Sequence, residues 1–402
     1  MTLKPPVEDF ATDWDHTDPQ WVQDPYPIWE DLRQRCPVAH TDRFGGGWFP
    51  ATHEGVSMVA KDTENFTSRT VVVGNGRPDD DALPAPIGVA PPITSDPPFH
   101  AIARRIMLPA LAPGPVNELE PQVRALCRRL LDNLGDHEII NGGMEYAQYI
   151  PPTVIQQLLG FPPEDEETFR EFVHVIMEGV DHPEEQRVEE FAPIEEYLRA
   201  QIEDHREHPR DDFTNYLLNA EIEGNKLQDE HIAGTIILTL VAGIDTTWSA
   251  IGAALWHLAS HPDDLARLVN EPDLMPVAIE EFLRFYAPVT MARLVKHDME
   301  YLGCPMKEDD WLLLGFPAAN RDPAVFKDAD KFIIDRVENR HVAFGLGIHR
   351  CAGSNLARME LRVAIEEFIA RHPRFELADP SNVTWAPGQV RGPRNLPIRI
   401  LR

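Results

Sequence analysis

The sequence predicts a mainly α-helical protein with a small β portion, and three observations lead there. The longest periodic run, Leu227 to Ser260, opens on Gln228, Asp229 and Glu230 and stops at Pro262, the acidic start and proline stop of a long helix. A second helical pattern, Ser354 to Arg371, begins just after a cysteine loop. Strand-like runs are short and few: Val289–Val295, Trp311–Phe316 and paired segments over 375–401.

The remaining elements follow in order. An extended lead-in precedes a short amphipathic helix, Pro25 to Arg35, then strand-like pieces around Val38 and Trp48 and a helix over 53–62. Ser68 to Pro98 carries Pro78, Pro84, Pro86, Pro91, Pro92, Pro97 and Pro98, a density no helix survives. A loop this long inside a compact domain reads as a lid or binding loop. Phe99 to Gly160 is helical, with breaks at Pro113–Pro115 and near Asn141-Gly142-Gly143. Residues 164–208 read as a charged, solvated outer pair of helices, followed by a helix over Asp211–Glu221 and others at 263–270 and 273–286. A proline- and charge-rich meander, Ala318 to Arg340, leads to the cysteine loop. No repeat and no domain boundary appears, so residues 1–402 read as a single domain.

Composition narrows the function. Lys plus Arg number 37 against 66 Asp plus Glu, a formal net charge of −29 that opposes nucleic acid and anionic membrane as partners. The four cysteines, Cys36, Cys127, Cys304 and Cys351, are scattered without a pairing rhythm, which fits free thiols in a reducing compartment. The first residues, Met1 to Trp14, show no signal pattern, so the expected location is the cytoplasm. Residues 232–259 are apolar enough to raise a membrane span. Asp245, His257 and several threonines favour a helix buried through a protein core instead.

Two stretches carry chemistry. In Phe344-Gly-Leu-Gly-Ile-His-Arg-Cys351-Ala-Gly353, glycines let the backbone approach something flat and bulky. Cys351 falls at a helix N-terminus, where unpaired N–H groups and the dipole favour a thiolate. A lone thiolate there suits one axial bond to an iron. Within the long helix lies Ala242-Gly-Ile-Asp245-Thr246-Thr247. A buried Asp is costly without a purpose, small residues at 242 and 243 admit a planar ligand or a diatomic, and Thr hydroxyls bond back to the i−4 carbonyl.

Both stretches resemble cytochrome P-450 motifs: the haem loop Phe-Gly-x-Gly-x-His-x-Cys-x-Gly and the oxygen-activation motif Ala/Gly-Gly-x-Asp/Glu-Thr. The Glu281-Phe-Leu-Arg284 pair, the Ala319-Asn320-Arg321-Asp322-Pro323 stretch and His100-x-x-x-Arg104 also resemble the family's sequences, in its order. The resemblance implies the cytochrome P-450 fold, a helical bundle around a buried haem with small sheets. It implies haem b with Cys351 as the iron ligand, lined by Phe344, Gly345, Gly353, Ala242 and Gly243. His100, Arg104, Arg293 and His349 would hold the propionates, Thr246 and Asp245 would deliver protons, and Glu281, Arg284 and Arg336 would form a structural triad.

By the same resemblance the chain is a monooxygenase that uses O2, a small hydrophobic substrate and electrons from an external ferredoxin, or flavodoxin, with its reductase, and works as a monomer. Asp245-Thr246 favours reductive O2 activation over the peroxide-using or isomerising relatives and over a non-catalytic haem sensor. A basic patch of Arg350, Arg105 and Arg358 would dock the donor. The 71–94 loop, Leu238, Val241, Ala242, Val289, Met291, Gln389 and Val390 would line an apolar pocket for a terpenoid or aromatic, with hydroxylation or epoxidation as the outcome. Against an acidic substrate stands the lack of Arg or Lys on the helix; Arg69 and Arg77 in the loop weaken that argument. No metalloprotease, hydrolase, phosphate-loop or dinucleotide motif competes.

Overall fold

The structure, a computed structural model, describes every residue except 1–4, 75–88, 166, 170, 173–174, 176–183 and 402. Its axis is the central helix, Asp229–Ser260, whose 32 residues span roughly 48 Å at the α-helical rise. Asp229 and Glu230 sit in its first turn, where the helix dipole favours negative charge. Pro262 cannot continue it and instead opens the helix Pro262–Asn270. This helix is long and apolar enough to cross a membrane, yet protein surrounds it. Ile236, Ile251, Ala254 and Leu255 are fully buried, and it packs on the helices Ile150–Leu159 and Ser354–Arg371.

The helix Ser354–Arg371 (the cysteine helix) lies along the helix Pro113–Asn133. Ion pairs lace the two together: Arg124 meets Glu367 at 2.7 Å and Glu366 at 2.8 Å, and Arg362 meets Glu120 at 2.5 Å. Pro113 and Pro115, expected to break a helix, start one, because a first-turn residue has no intrahelical N–H bond to lose.

Twelve strands are described: β1 (Val38–Thr41), β2 (Gly47–Pro50), β3 (Phe66–Thr67), β4 (Ile139–Asn141), β5 (Glu221–Ile222), β6 (Asn225–Lys226), β7 (Met291–Val295), β8 (Met299–Tyr301), β9 (Cys304–Met306), β10 (Trp311–Leu314), β11 (Phe375–Leu377) and β12 (Pro397–Ile400). The main sheet runs β1-β2-β10-β7-β3, with Trp48 opposite Leu312 in the parallel β2–β10 pair and Leu312 opposite Arg293 across β10–β7. A smaller sheet runs β11-β12-β4.

The helices at 26–35, 53–61, 262–270, 275–285 and 354–371 lie where the sequence pattern puts them. The pattern gave no sign of the helix Pro19–Gln23, capped by Asp18, of β4, or of the β5–β6 hairpin, all too short to show a period. Of the expected outer pair of helices, Glu184–Glu207 is described. Much of the proline-rich loop, including Arg77, lies outside the described residues; the rest of it, up to the helix Phe99–Met107, is turns and extended backbone.

Candidate active site

The cysteine loop is built from its glycines upward. Gly345 and Gly347 adopt φ of +69° and +68°, the left-handed region that a side chain resists. A Cβ on Gly347 would also lie 2.5 Å from the Ala60 carbonyl oxygen. The turn they make lets the Cys351 N–H donate to the Phe344 carbonyl at 2.8 Å, two residues before Gly353 caps the cysteine helix. Cys351 is free and exposed, while its thiol is surrounded deeply enough that burial pushes its pKa up. The Gly353 N–H, Arg104, Arg350 and Arg358 pull the other way without cancelling the burial. A cation bound at the sulfur favours the thiolate.

Beside the loop, basic groups converge, and Asp96, which accepts from the Ser68 N–H at 3.0 Å, is the carboxylate that acts on His100 and Arg293. Arg293 on β7 is buried, has no salt bridge among the described residues, and is brought down to about 10 by burial. His100, on the helix Phe99–Met107, is buried with Nε2 unpartnered, and its ring lies 4.3 Å from that of His349. His349 bonds Ser68 Oγ through Nε2 at 3.0 Å; burial, then Arg293, His100 and Arg104, drive it down to about 2. Arg104 donates to the Arg350 carbonyl. A buried set of basic groups with an orphaned nitrogen asks for negative charge, and two propionates supply it. One thiolate donor flanked by anion-seeking side chains fits a haem.

On the central helix, the Thr246 hydroxyl donates to the Ala242 carbonyl at 2.8 Å, and Ala242 is exposed although it lies mid-helix. Gly243 has a different use: a Cβ there would meet Ile155 Cδ1 at 2.6 Å, so its smallness admits the neighbouring helix, and the open surface is left to Ala242. Asp245 is buried and meets Arg394 at 2.5 Å. Arg394 also donates to Ser249 Oγ at 3.0 Å and lies 4.0 Å from the Trp248 ring centroid. A buried carboxylate announces that it needs a cation. Nothing in the spacing pointed to one 149 residues away.

A family model, Cytochrome P450, matches residues 151–384. The chain belongs to the cytochrome P450 family. It is 31% identical over 405 residues to Cytochrome P450-terp of Pseudomonas sp, covering 94% of each chain. It is also 31% identical over 354 residues to the steroid C26-monooxygenase of Mycolicibacterium smegmatis, covering 86% of each. Among solved structures, the Bacillus subtilis bacillaene polyketide synthase P450 PksS superposes with a TM-score of 0.86 at 26% identity, covering 97% of this chain and 100% of that one. A Bacillus megaterium P450 solved with testosterone gives 0.81 at 30% identity, over 94% and 100%. The protein is thus a P450 monooxygenase with the P450 fold, using haem b with an axial cysteine thiolate.

In this P450 the structure brings Glu281, Arg284 and Arg336 together. Glu281 and Arg284 are fully buried and paired by two bonds of 2.8 Å, and Arg336 Nε reaches Glu281 at 3.0 Å. The Ile333 N–H and the Asn339 amide donate to the same carboxylate. Arg284 and Arg336 spend their other N–H groups on carbonyls of Asn320, Lys327, Asp328, Ala329 and Lys331, so the triad nails the meander down.

The expected pocket residues fall into two groups. Leu238 and Val241 line the central helix near Ala242. Val289 and Val390 form an antiparallel bridge, and Met291 shares a face of β7 with Arg293. Gln389 has its amide engaged by backbone. Its amide accepts from the Val73 N–H at 2.5 Å and donates to the Val71 and Thr290 carbonyls, clipping the base of the proline-rich loop to the wall. Arg69 is paired with Asp309 and so is spent as well. Arg358, expected in the basic patch, is bonded to Glu280 at 2.6 and 2.9 Å, leaving Arg105 and Arg350 exposed.

Proposed function

We propose that this P450 oxygenates a compact hydrophobic molecule, a terpenoid or aromatic, by hydroxylation or epoxidation, with electrons from a ferredoxin, as a cytoplasmic monomer. The observation that carries the reading is the pairing of an isolated cysteine in a glycine turn with a basic cluster beside it, in which the buried His100 Nε2 has no partner. Cys351 is the axial ligand, and His100, Arg104, Arg293 and His349 hold the propionates. The haem, when bound, supplies the oxidant.

The chain's own residues do the rest. Thr246 holds a hydroxyl at the face of the central helix beside exposed Ala242, and Asp245 stands one residue away as the proton source. Its ion pair with Arg394 keeps the carboxylate in place between proton transfers. Val289, Val390, Leu238 and Val241 give the substrate an apolar wall, and the pairing of Arg69 with Asp309 removes a cation that would attract an acid. Arg105 and Arg350, flanked by exposed Leu108 and Ile348, offer a basic and apolar face to an acidic ferredoxin.

The test begins with the reduced, carbon monoxide-treated protein. The long-wavelength Soret band of sulfur-bound haem is expected, and its loss in Cys351→Ser. A wild-type protein without that band, or a variant that keeps it, overturns the ligand assignment. Spectral titration with terpenoids, aromatics and fatty acids then tests the substrate class. A spin-state change produced by fatty acids alone would replace the terpenoid or aromatic reading; one structural relative, at 28% identity and TM-score 0.87, was solved with myristic acid.

A further inference from the structure

Behind the cysteine loop stands a second carboxylate that the triad does not use. Glu280 and Glu281 are neighbours on the helix Met275–Phe285, so their side chains leave it about 100° apart. Glu281 turns to the meander, and Glu280 turns to the cysteine helix. There its two oxygens take the Arg358 guanidinium at 2.6 and 2.9 Å. The His341 ring bonds the same carboxylate through Nε2 at 3.0 Å. The Ala343 N–H donates to His341 Nδ1 at 3.2 Å, which fixes the tautomer with its proton on Nε2. Arg358 in turn lies 4.4 Å from the centroid of the Phe344 ring, and the Phe344 carbonyl holds the Cys351 N–H. A cation at this distance would pull electron density toward itself through the loop, and a carboxylate locked to it cancels most of that pull.

We propose that Glu280, Arg358 and His341 form an electrostatic bracket that sets the reduction potential of the haem from behind Phe344. Glu280 neutralises Arg358, and His341 keeps the carboxylate aimed at it. These are positioning residues; none touches substrate or the reacting atoms. Of the arginines near the loop, Arg358 is the one that Glu280 holds through both its oxygens, so the charge that reaches the loop from this side depends on that pair.

The inference rests on Cys351 being the iron ligand, which the carbon monoxide spectrum of the wild-type protein decides separately. Its own test is a double-mutant cycle read by spectroelectrochemical titration of the ferric–ferrous couple. Glu280→Gln keeps the shape and frees the charge of Arg358, so the potential rises. Arg358→Met leaves Glu280 unopposed, so the potential falls. In the double variant both charges are gone and the potential returns close to the wild-type value. Opposite shifts that cancel support the bracket, because loosening the loop would move both single variants the same way. Shifts of equal sign, no shift, or conversion of Glu280→Gln to a form without the thiolate Soret band would overturn it.

Discussion

Replacing Glu281 by Gln keeps the volume and removes one negative charge at a point where two guanidinium groups, one backbone N–H and one amide converge. The new amide carries its own N–H groups into a ring of donors, so at least one donor loses its acceptor. Arg284 and Arg336, fully and almost fully buried, lose their counter-charge. Breaking a buried ion pair from one side costs about 3–5 kcal/mol. For 402 residues the unfolding entropy is about 0.8 kcal/mol per kelvin at ~2.1 cal/mol/K per residue. The melting temperature should therefore fall by about 4–6 °C. Because the freed arginines also release the carbonyls of the meander, haem should transfer to an apo-globin acceptor faster than from the wild type. Calorimetry and the transfer rate check the two effects. A melting point within about 1 °C of wild type, with the transfer rate unchanged, would mean the triad is not what holds the meander.

Thr246→Ala should retain haem and substrate binding while diverting reducing equivalents to peroxide; coupling equal to that of the wild type, measured as product per electron pair, removes the role given to the hydroxyl. Gly243→Ala pushes a methyl onto Ile155 and should cost about 1–3 kcal/mol, with Ile155→Val in the same chain recovering part of it in thermal unfolding. Gln389→Leu frees the Val73 N–H and the Val71 carbonyl; spectral titration should show weaker binding of hydrophobic ligands, and unchanged affinities would mean that the clip does not shape the pocket. Burial raises the Glu280 carboxyl, but its bonds to Arg358 and His341 outweigh that and bring it down to about 2 from 4.5. A depressed carboxylate stabilises the fold fully above pH 4.5, and the contribution disappears as the pH falls toward 2. The stability gap between wild type and Glu280→Gln should therefore close across that window in acid titration, and a gap independent of pH refutes the ionic role.

What could be read from the residues alone depended on range. The cysteine loop and the Ala242–Thr247 segment carry their chemistry in consecutive residues, so spacing exposed them. The triad was legible in part: Glu281 and Arg284 share a helix face, and Arg336 followed from its place in the meander. Arg394 and the backbone partners of Gln389 were out of reach, because each acts on backbone or side chains far away in sequence and neither belongs to a local pattern. Gly243 shows a different failure. A small residue looks the same whether it clears space for a ligand or for a neighbouring helix, and only the direction of the missing Cβ separates the two. Arg358 looked like a surface cation because the pairing with Glu280 spans 78 residues.

The parallel pairing of β2 with β10 has a consequence for biogenesis. Trp48 finds its partner Leu312 only after about 260 further residues have been made, and Phe66 waits similarly for Val295. At ~5–20 residues per second, the ribosome needs roughly 13–50 s to deliver them. Through that interval β1 and β2 have only each other, the other edge of β2 stays open and β3 has no strand to pair with, and a nascent chain in this condition is a natural client for a chaperone that shields open strand edges.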